Sequence, residues 1–369
     1  MQPQDLNANT QPFAPMRVFA RWDVIPNAWY AVLPSASLGR GKAQSVTVCQ
    51  QRLALFRGQD GVVRALDAFC PHMGTDLGIG RVVDNTLRCF FHQWRFDGTG
   101  RCVEIPVQTH IPPQACVRAY ATQEAYGYIW VYPDAVAPYP VAEFEGLEGQ
   151  PLLWSHDVPH EGACHHHVSM INGIDAQHLR TVHGISMAAD VDVTERNGNI
   201  VDYVVTGAVE ATSLTQRLVQ ALIGKQYSYA MRYQDAALGL LTTVRDSRLF
   251  GTGPRLPRLH MAFAYTPLAP GRVRTHTIFV ARKPKGLLAL LWTHLVLWAT
   301  RQGYYVLRGA DAVVYDNIRF QPKTLLPMDA PVSRYLAYVN RLTPSDWSQP
   351  DAREPQRAVA LKVVDDGGP

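Results

Sequence analysis

Two short boxes, Cys70-Pro71-His72 and Cys89-Phe90-Phe91-His92, stand sixteen residues apart in the chain. Each supplies one thiol and one imidazole, and that pairing constrains the chain more than any other feature. Zinc fingers take Cys with Cys and His with His. Two facing loops that each offer one of each suit instead a [2Fe–2S] cluster in which one iron carries two thiolates and the other two imidazoles. Four buried residues holding no metal are the bland alternative, and the spacing weighs against it.

Glycines gather where such loops need them: Gly74, Gly78 and Gly80 after the first box, Gly98 and Gly100 after the second. Tight loops let backbone N–H groups point at cluster sulfurs, and such bonds help to set the potential. With Trp94, Phe96, Asp97, Gly100 and Cys102 completing W-x-F-D and G-x-C patterns, the segment resembles the Rieske domain of Rieske-type non-haem iron oxygenases. Respiratory-chain Rieske proteins carry an additional cysteine in each box. Thr75 and Phe91 occupy those places, so the resemblance implies no loop-tying disulfide and the lower-potential, oxygenase type of cluster.

The 369 residues allow two domains, and a 47% hydrophobic content suits packed cores. A formal charge of +4 without a basic cluster gives no reason to expect nucleic acid. Of six cysteines two fall in the boxes. Cys49, Cys102, Cys116 and Cys164 form no disulfide framework, which predicts a reducing, cytoplasmic setting. Residues 1–26 read as a flexible arm without the apolar core of a signal peptide. Short β-rich runs from Trp29 to Tyr132 predict a small barrel or sandwich over residues 27–140, with Pro133 to Pro140 as the linker.

Residues 141–344 form the predicted second domain. Alternating runs at Ile200 to Val209, Tyr227 to Tyr233, Leu240 to Val244, Arg258 to Tyr265 and Val273 to Val280 read as antiparallel strands with one buried face. Helices are expected at Asn172 to Val182, Thr215 to Ile223 and Pro331 to Leu342. Leu287 to Ala299, the most apolar run, is too short to span a bilayer, which needs about twenty residues. It reads as a helix buried beneath the sheet rather than on a membrane surface, with His294 in the core. From Ser345 to Pro369 the chain reads as a mobile polar tail.

Asn172 to His183 holds a second metal-binding pattern. Asp175, His178 and His183 match the D-x2-H-x4-H motif of the same oxygenases, and the resemblance makes the two histidines ligands of a mononuclear Fe(II). On a regular helix they would stand about 140° apart, so a helix end or bulge between them is required. A facial triad needs one carboxylate more. Asp311 fits the D-x-x-[IV]-[WY] pattern of the 3-ketosteroid hydroxylases, sterol desaturases and aminopyrrolnitrin oxygenase and is favoured over Asp316. Asp175 is implied to join His178 to His92 of a neighbouring subunit, passing the cluster's electron on. His165, His166 and His167, placed on a strand, would alternate faces and so are read as structural.

The expected fold class is α+β: an all-β Rieske domain followed by a helix-grip-like catalytic domain on an antiparallel sheet. The resemblance implies a homotrimeric terminal oxygenase, fed by an external ferredoxin or flavin/NAD(P)H reductase, since no dinucleotide signature is present. It would use O₂ to hydroxylate a hydrophobic ring compound. An arylamine N-oxygenase is the alternative, and an electron carrier with an inactive second site the alternative of another class.

Overall fold

A computed structural model describes residue 21 and residues 23–183, 186–210, 217, 226–243, 258–320, 322, 324–348 and 362–363. The helix expected at Thr215 to Ile223 lies outside the described residues apart from position 217. The first domain contains three small antiparallel sheets. One joins β1 (Tyr30–Pro34), β11 (Tyr128–Val131) and β10 (Thr122–Ala125). A second runs β2 (Ala43–Val48), β3 (Gln51–Arg57), β4 (Val63–Asp67) and β9 (Ala119–Tyr120). The third is the meander β5 (Arg81–Val83), β6 (Thr86–Arg88), β7 (Arg95–Phe96) and β8 (Cys102–Glu104). The first Cys-His box follows β4 and the second is the connection from β6 to β7.

The second domain is built on one eight-stranded sheet, in the order β12 (Leu152–His156), β19 (Arg272–Arg282), β18 (His260–Ala269), β17 (Leu238–Thr243), β16 (Gln226–Gln234), β15 (Ile200–Glu210) and β14 (Ser186–Arg196). The short β13 (His160–Gly162) also pairs with β19. Every pairing in this sheet is antiparallel. Because successive side chains on a strand point to opposite faces, the sheet has two cores. Leu238, Leu240, Ala262, Ala264, Ile278 and Val280 pack against Trp29, Tyr128 and Trp130 of the first domain. The alternate residues Met261 and Phe279 pack against Leu297 of a long helix.

Among the described residues four α-helices pack on the sheet: α1 (His166–Asn172), α2 (Ala176–Thr181), α3 (Leu287–Tyr315) and α4 (Ala330–Asn340). Tyr335, Leu336 and Val339 of α4 join Met170 and Ile171 of α1 over Tyr203, Val205, Met231 and Tyr233 of the sheet.

Three expectations about organisation need correction. Val24 and Ile25, inside the expected arm, are buried; positions 1–20 and 22 lie outside the described residues. Ile25 is tied to the far end of the chain, where Ser345 and Ser348 hydroxyls donate to its carbonyl. Trp347 is buried against Tyr30 and Tyr120, so packed structure runs through Ser348, past the expected start of the tail. The apolar run at Leu287 to Ala299 begins a 29-residue helix, and most of its leucines and tryptophans are exposed rather than buried. His294 is exposed too. An apolar helical run is buried only if something covers it, and the sheet covers one narrow stripe.

Candidate metal centres

The first site sits on two loops held by backbone bonds. Cys70 N–H donates to Thr75 O at 2.9 Å and Gly74 N–H to Cys70 O at 2.9 Å; Cys89 N–H donates to Trp94 O at 2.8 Å. Gly74 has φ +75°, which closes the first turn at no steric cost to glycine. A Cβ at Gly80 would lie 2.3 Å from Arg88 O, so only glycine lets these two loops approach. Cys70 and Cys89 are buried, whereas His72 is exposed and His92 half-buried. The two histidine Nδ1 atoms stand 3.1 Å apart, and Trp94 stacks on His72 at 4.6 Å. Burial pushes the Cys70 thiol up to about 11, and the neighbouring Cys89 thiol adds to the shift. Such thiols ionise only for a metal. Two inner sulfurs and two convergent outer nitrogens fit the mixed donor set of a [2Fe–2S] cluster.

The second site is assembled over a much longer stretch of chain. Helix α1 ends at Asn172, where Tyr233 OH donates to Met170 O at 2.6 Å and Tyr229 OH to Gly173 O at 2.9 Å. These sheet hydroxyls satisfy carbonyls that a continued helix would have used. The chain then restarts: Asp175 Oδ1 accepts from Gln177 N–H at 2.9 Å and His178 N–H at 3.2 Å, an N-cap for α2. α2 stops at Thr181, so His183 lies beyond its end and turns back toward His178, as the five-residue spacing requires. Asp311 reaches both from α3: its Oδ1 is 2.7 Å from His178 Nε2 and 3.0 Å from His183 Nε2.

Two imidazoles and one carboxylate, with donor atoms all within 4.8 Å of one another, form a 2-His-1-carboxylate set suited to a ferrous ion. Burial holds His183 below the ordinary histidine range, with Asp311 opposing the shift; the neutral ring is the one that binds metal. Asn172 Nδ2 donates to Tyr315 OH at 2.9 Å and lies 3.5 Å from His178 Nε2. Asp316 is exposed at the C-cap of α3 and takes no part. Five residues along a helix separate it from Asp311 by about 140°.

Asp175 stands where the sequence placed it, but its carboxylate oxygen serves the backbone of α2. His178 Nδ1 is buried and meets no partner among the described residues. The histidine triplet also differs from expectation. His165 caps α1 and His166 and His167 form its first turn, so strand alternation does not apply and their nitrogens do lie within 4.8 Å of one another. Their rings pack on one another at centroid distances of 4.0–4.6 Å. Burial lowers all three into the neutral form, and His167 Nδ1 lies 3.1 Å from Tyr335 OH. They remain core residues for a reason other than the one first given.

Sequence reasoning missed Asp157. Its buried carboxylate is 3.2 Å from Arg301, 2.8 Å from Arg308 and 2.5 Å from Tyr305 OH, fastening α3 three residues before Asp311. The i, i+4 spacing of Arg301 and Tyr305 was the available signal; nothing local pointed to Asp157 as their partner. A cavity of about 700 Å³ between Tyr126, Phe144, Leu147, Trp154 and His156 contains none of the metal-site residues.

Residues 28–121 match the family described as Rieske [2Fe-2S] domain. The chain carries a Rieske domain. A cholesterol 7-desaturase of Bombyx mori is 34% identical over 171 residues, 45% of this chain and 37% of that protein. A probable 3-ketosteroid-9-alpha-monooxygenase oxygenase component of Rhodococcus rhodochrous is 37% identical over 115 residues, 31% of this chain and 29% of that one. The chain thus spans well under half the length of these curated relatives. Dicamba monooxygenase bound to dicamba superposes with a TM-score of 0.61 at 20% identity, covering 88% of this chain and 98% of that one. The Rieske protein described here therefore shares the two-domain α+β fold of dicamba monooxygenase, with its Rieske domain at residues 28–121.

Proposed function

We propose that this Rieske protein is a terminal oxygenase that mono-oxygenates a hydrophobic, ring-containing small molecule. The observation that carries the reading is the convergence of His178, His183 and Asp311 downstream of the Cys-His boxes. An electron carrier has no use for that convergence. Named relatives that act on cholesterol and on 3-ketosteroids favour a sterol-like ring system over an arylamine.

When bound, a Rieske cluster and a mononuclear ferrous ion supply one-electron transfer and O₂ activation, the electrons coming from an external ferredoxin or reductase. Cys70 and Cys89 would hold the inner iron of the cluster, and His72 and His92 the outer one. The exposed histidine edge, ringed by Phe69, Met73, Phe90 and Phe91, which are all more than half exposed, supports docking against another copy in a homotrimer. His178, His183 and Asp311 would hold the second iron from one side and leave its other positions free. Asp175, whose Oδ1 caps α2, would join His178 Nδ1 to His92 of a neighbouring copy. Six free cysteines support a cytoplasmic setting.

The test is oxygen uptake with a surrogate reductase across sterols, aromatic amines and smaller aromatics, alongside an iron-to-sulfide ratio. A ratio of roughly 1.5 supports two centres; a ratio of roughly 1 would reduce the protein to a carrier with an inactive second site.

A further inference from the structure

Helix α3 presents an apolar surface that the oxygenase reading does not use. Leu287 is 71%, Leu288 83%, Leu291 57%, Trp292 60%, Leu295 50% and Trp298 59% exposed. At 100° per residue these six side chains fill one continuous arc of about 140°. Leu297, buried against Met261 and Phe279, lies on the opposite side and fixes the helix to the sheet. No Asp, Glu, Lys or Arg occurs from Gly286 to Thr300. Immediately before the helix stand Arg282, Lys283 and Lys285, all exposed.

We infer that this face docks on the surface of an anionic lipid bilayer. A contiguous Leu/Trp arc on one side of a helix, the other side tied to a folded domain, suits insertion to the depth of the headgroup–acyl boundary. Trp292 and Trp298 are side chains that favour that interface. The three cations at the entrance to the helix complement lipid phosphates, and the helix N-terminus adds its positive end. A protein surface would have to match an uncharged, apolar face beside three cations, and the arc offers it few hydrogen-bonding groups: His294, Gln302 and the indole N–H groups of Trp292 and Trp298. No helix among the described residues is long and apolar enough to cross a membrane, so the contact is peripheral. Asp311 lies on the same helix, ~20 Å beyond Trp298 at 1.5 Å per residue.

The experiment is co-flotation of the cluster-loaded full chain with phosphatidylcholine vesicles and with vesicles containing phosphatidylserine. Flotation is expected with the anionic vesicles, weakened by salt. Leu291→Glu/Leu295→Glu should abolish it while leaving the cluster's visible spectrum and the far-ultraviolet circular dichroism unchanged. Lys283→Glu/Lys285→Glu, outside the helix and its packing, should weaken it by at least ~30-fold, since each cation near such a surface contributes about five-fold. Absence of flotation by the unmodified chain would overturn the inference. A light-scattering mass that falls to that of a monomer in Leu291→Glu/Leu295→Glu, without flotation, would assign the face to a second copy and overturn it too. Neither readout involves substrate or turnover, so the oxygenase reading stands or falls separately.

Discussion

The two candidate metal sites of this chain are built in opposite ways. The cluster site takes four donors from 23 consecutive positions, on loops whose shape is set by backbone bonds and glycines, with its histidine edge at the surface. The mononuclear site joins residues 133 apart in sequence, and every donor depends on an element placed by tertiary packing: α2 by the Asp175 cap, His183 by the end of α2, Asp311 by the seating of α3. A local site can be read as a word in the sequence and survives damage elsewhere. A dispersed site inherits every weakness of the core that assembles it.

The largest expected effects separate the sites outright. Cys89→Ser should eliminate the acid-labile sulfide and the Rieske-type electron paramagnetic resonance signal while retaining mononuclear iron. Asp311→Ala should do the reverse, and Asp316→Ala should change neither. Loss of both centres in either single variant would show that the two sites are not independent in assembly.

Next in size is the coupling between them. Asp175→Asn keeps an oxygen able to cap α2, so both metals should stay bound and the melting temperature should move little. Turnover should fall by roughly 100-fold or more, because the amide cannot stabilise two imidazoles as a carboxylate does. Asp175→Ala should in addition destabilise the fold by about 1 kcal/mol through loss of the cap. Equal turnover in Asp175→Asn and the parent would confine Asp175 to the capping role seen here.

A smaller effect tests whether the dispersed site depends on remote packing. Asp157→Ala removes the anchor of Arg301 and Arg308; with those arginines about a third exposed, the cost should be about 1–3 kcal/mol. Mononuclear iron should dissociate several-fold faster in a chelator competition, with the cluster spectrum unaltered. An unchanged iron off-rate would mean that α3 is held well enough by Leu297 and its neighbours.

The last effect is a pH slope, and it touches neither metal site. Asp235 sits in the turn between β16 and β17, where Tyr139 OH from the interdomain segment donates to it at 2.7 Å. Burial pushes its carboxyl up to about 8. The folded state then holds a proton that the unfolded chain has released, so stability falls by up to about 1.4 kcal/mol per pH unit between roughly pH 4 and 8 and levels off above. Asp235→Asn should remove that slope and melt higher than the parent at pH 8.5. A difference between the two that does not vary with pH would refute the assignment.

How much was legible follows the same division. Both Cys-His boxes and the His178/His183 pair could be read directly, because their spacing carries the chemistry. Asp311 is favoured over Asp316 in the sequence by its D-x-x-[IV]-[WY] pattern alone, since both are carboxylates at the end of one helix; helical phase is what separates them in space. The histidine triplet was misplaced because a strand leading into the helix seemed continuous, whereas α1 begins at His166. The exposure of Leu287 to Trp298 was missed because apolar runs are usually covered by their own chain. Trp347 reads as tail in the sequence because its packing partners, Tyr30 and Tyr120, lie more than 200 residues away.

Helix α3 is unbroken from Leu287 to Tyr315, so its two working ends share a single phase. One residue inserted between Thr300 and Tyr304 would turn Asp311 by about 100° relative to the Leu/Trp arc and carry it ~1.5 Å along the axis. No side-chain adjustment could then bring its carboxylate back to His178 and His183. Point changes on the outer arc leave that phase untouched. Inheritance in this segment should therefore be lenient about spelling and strict about length.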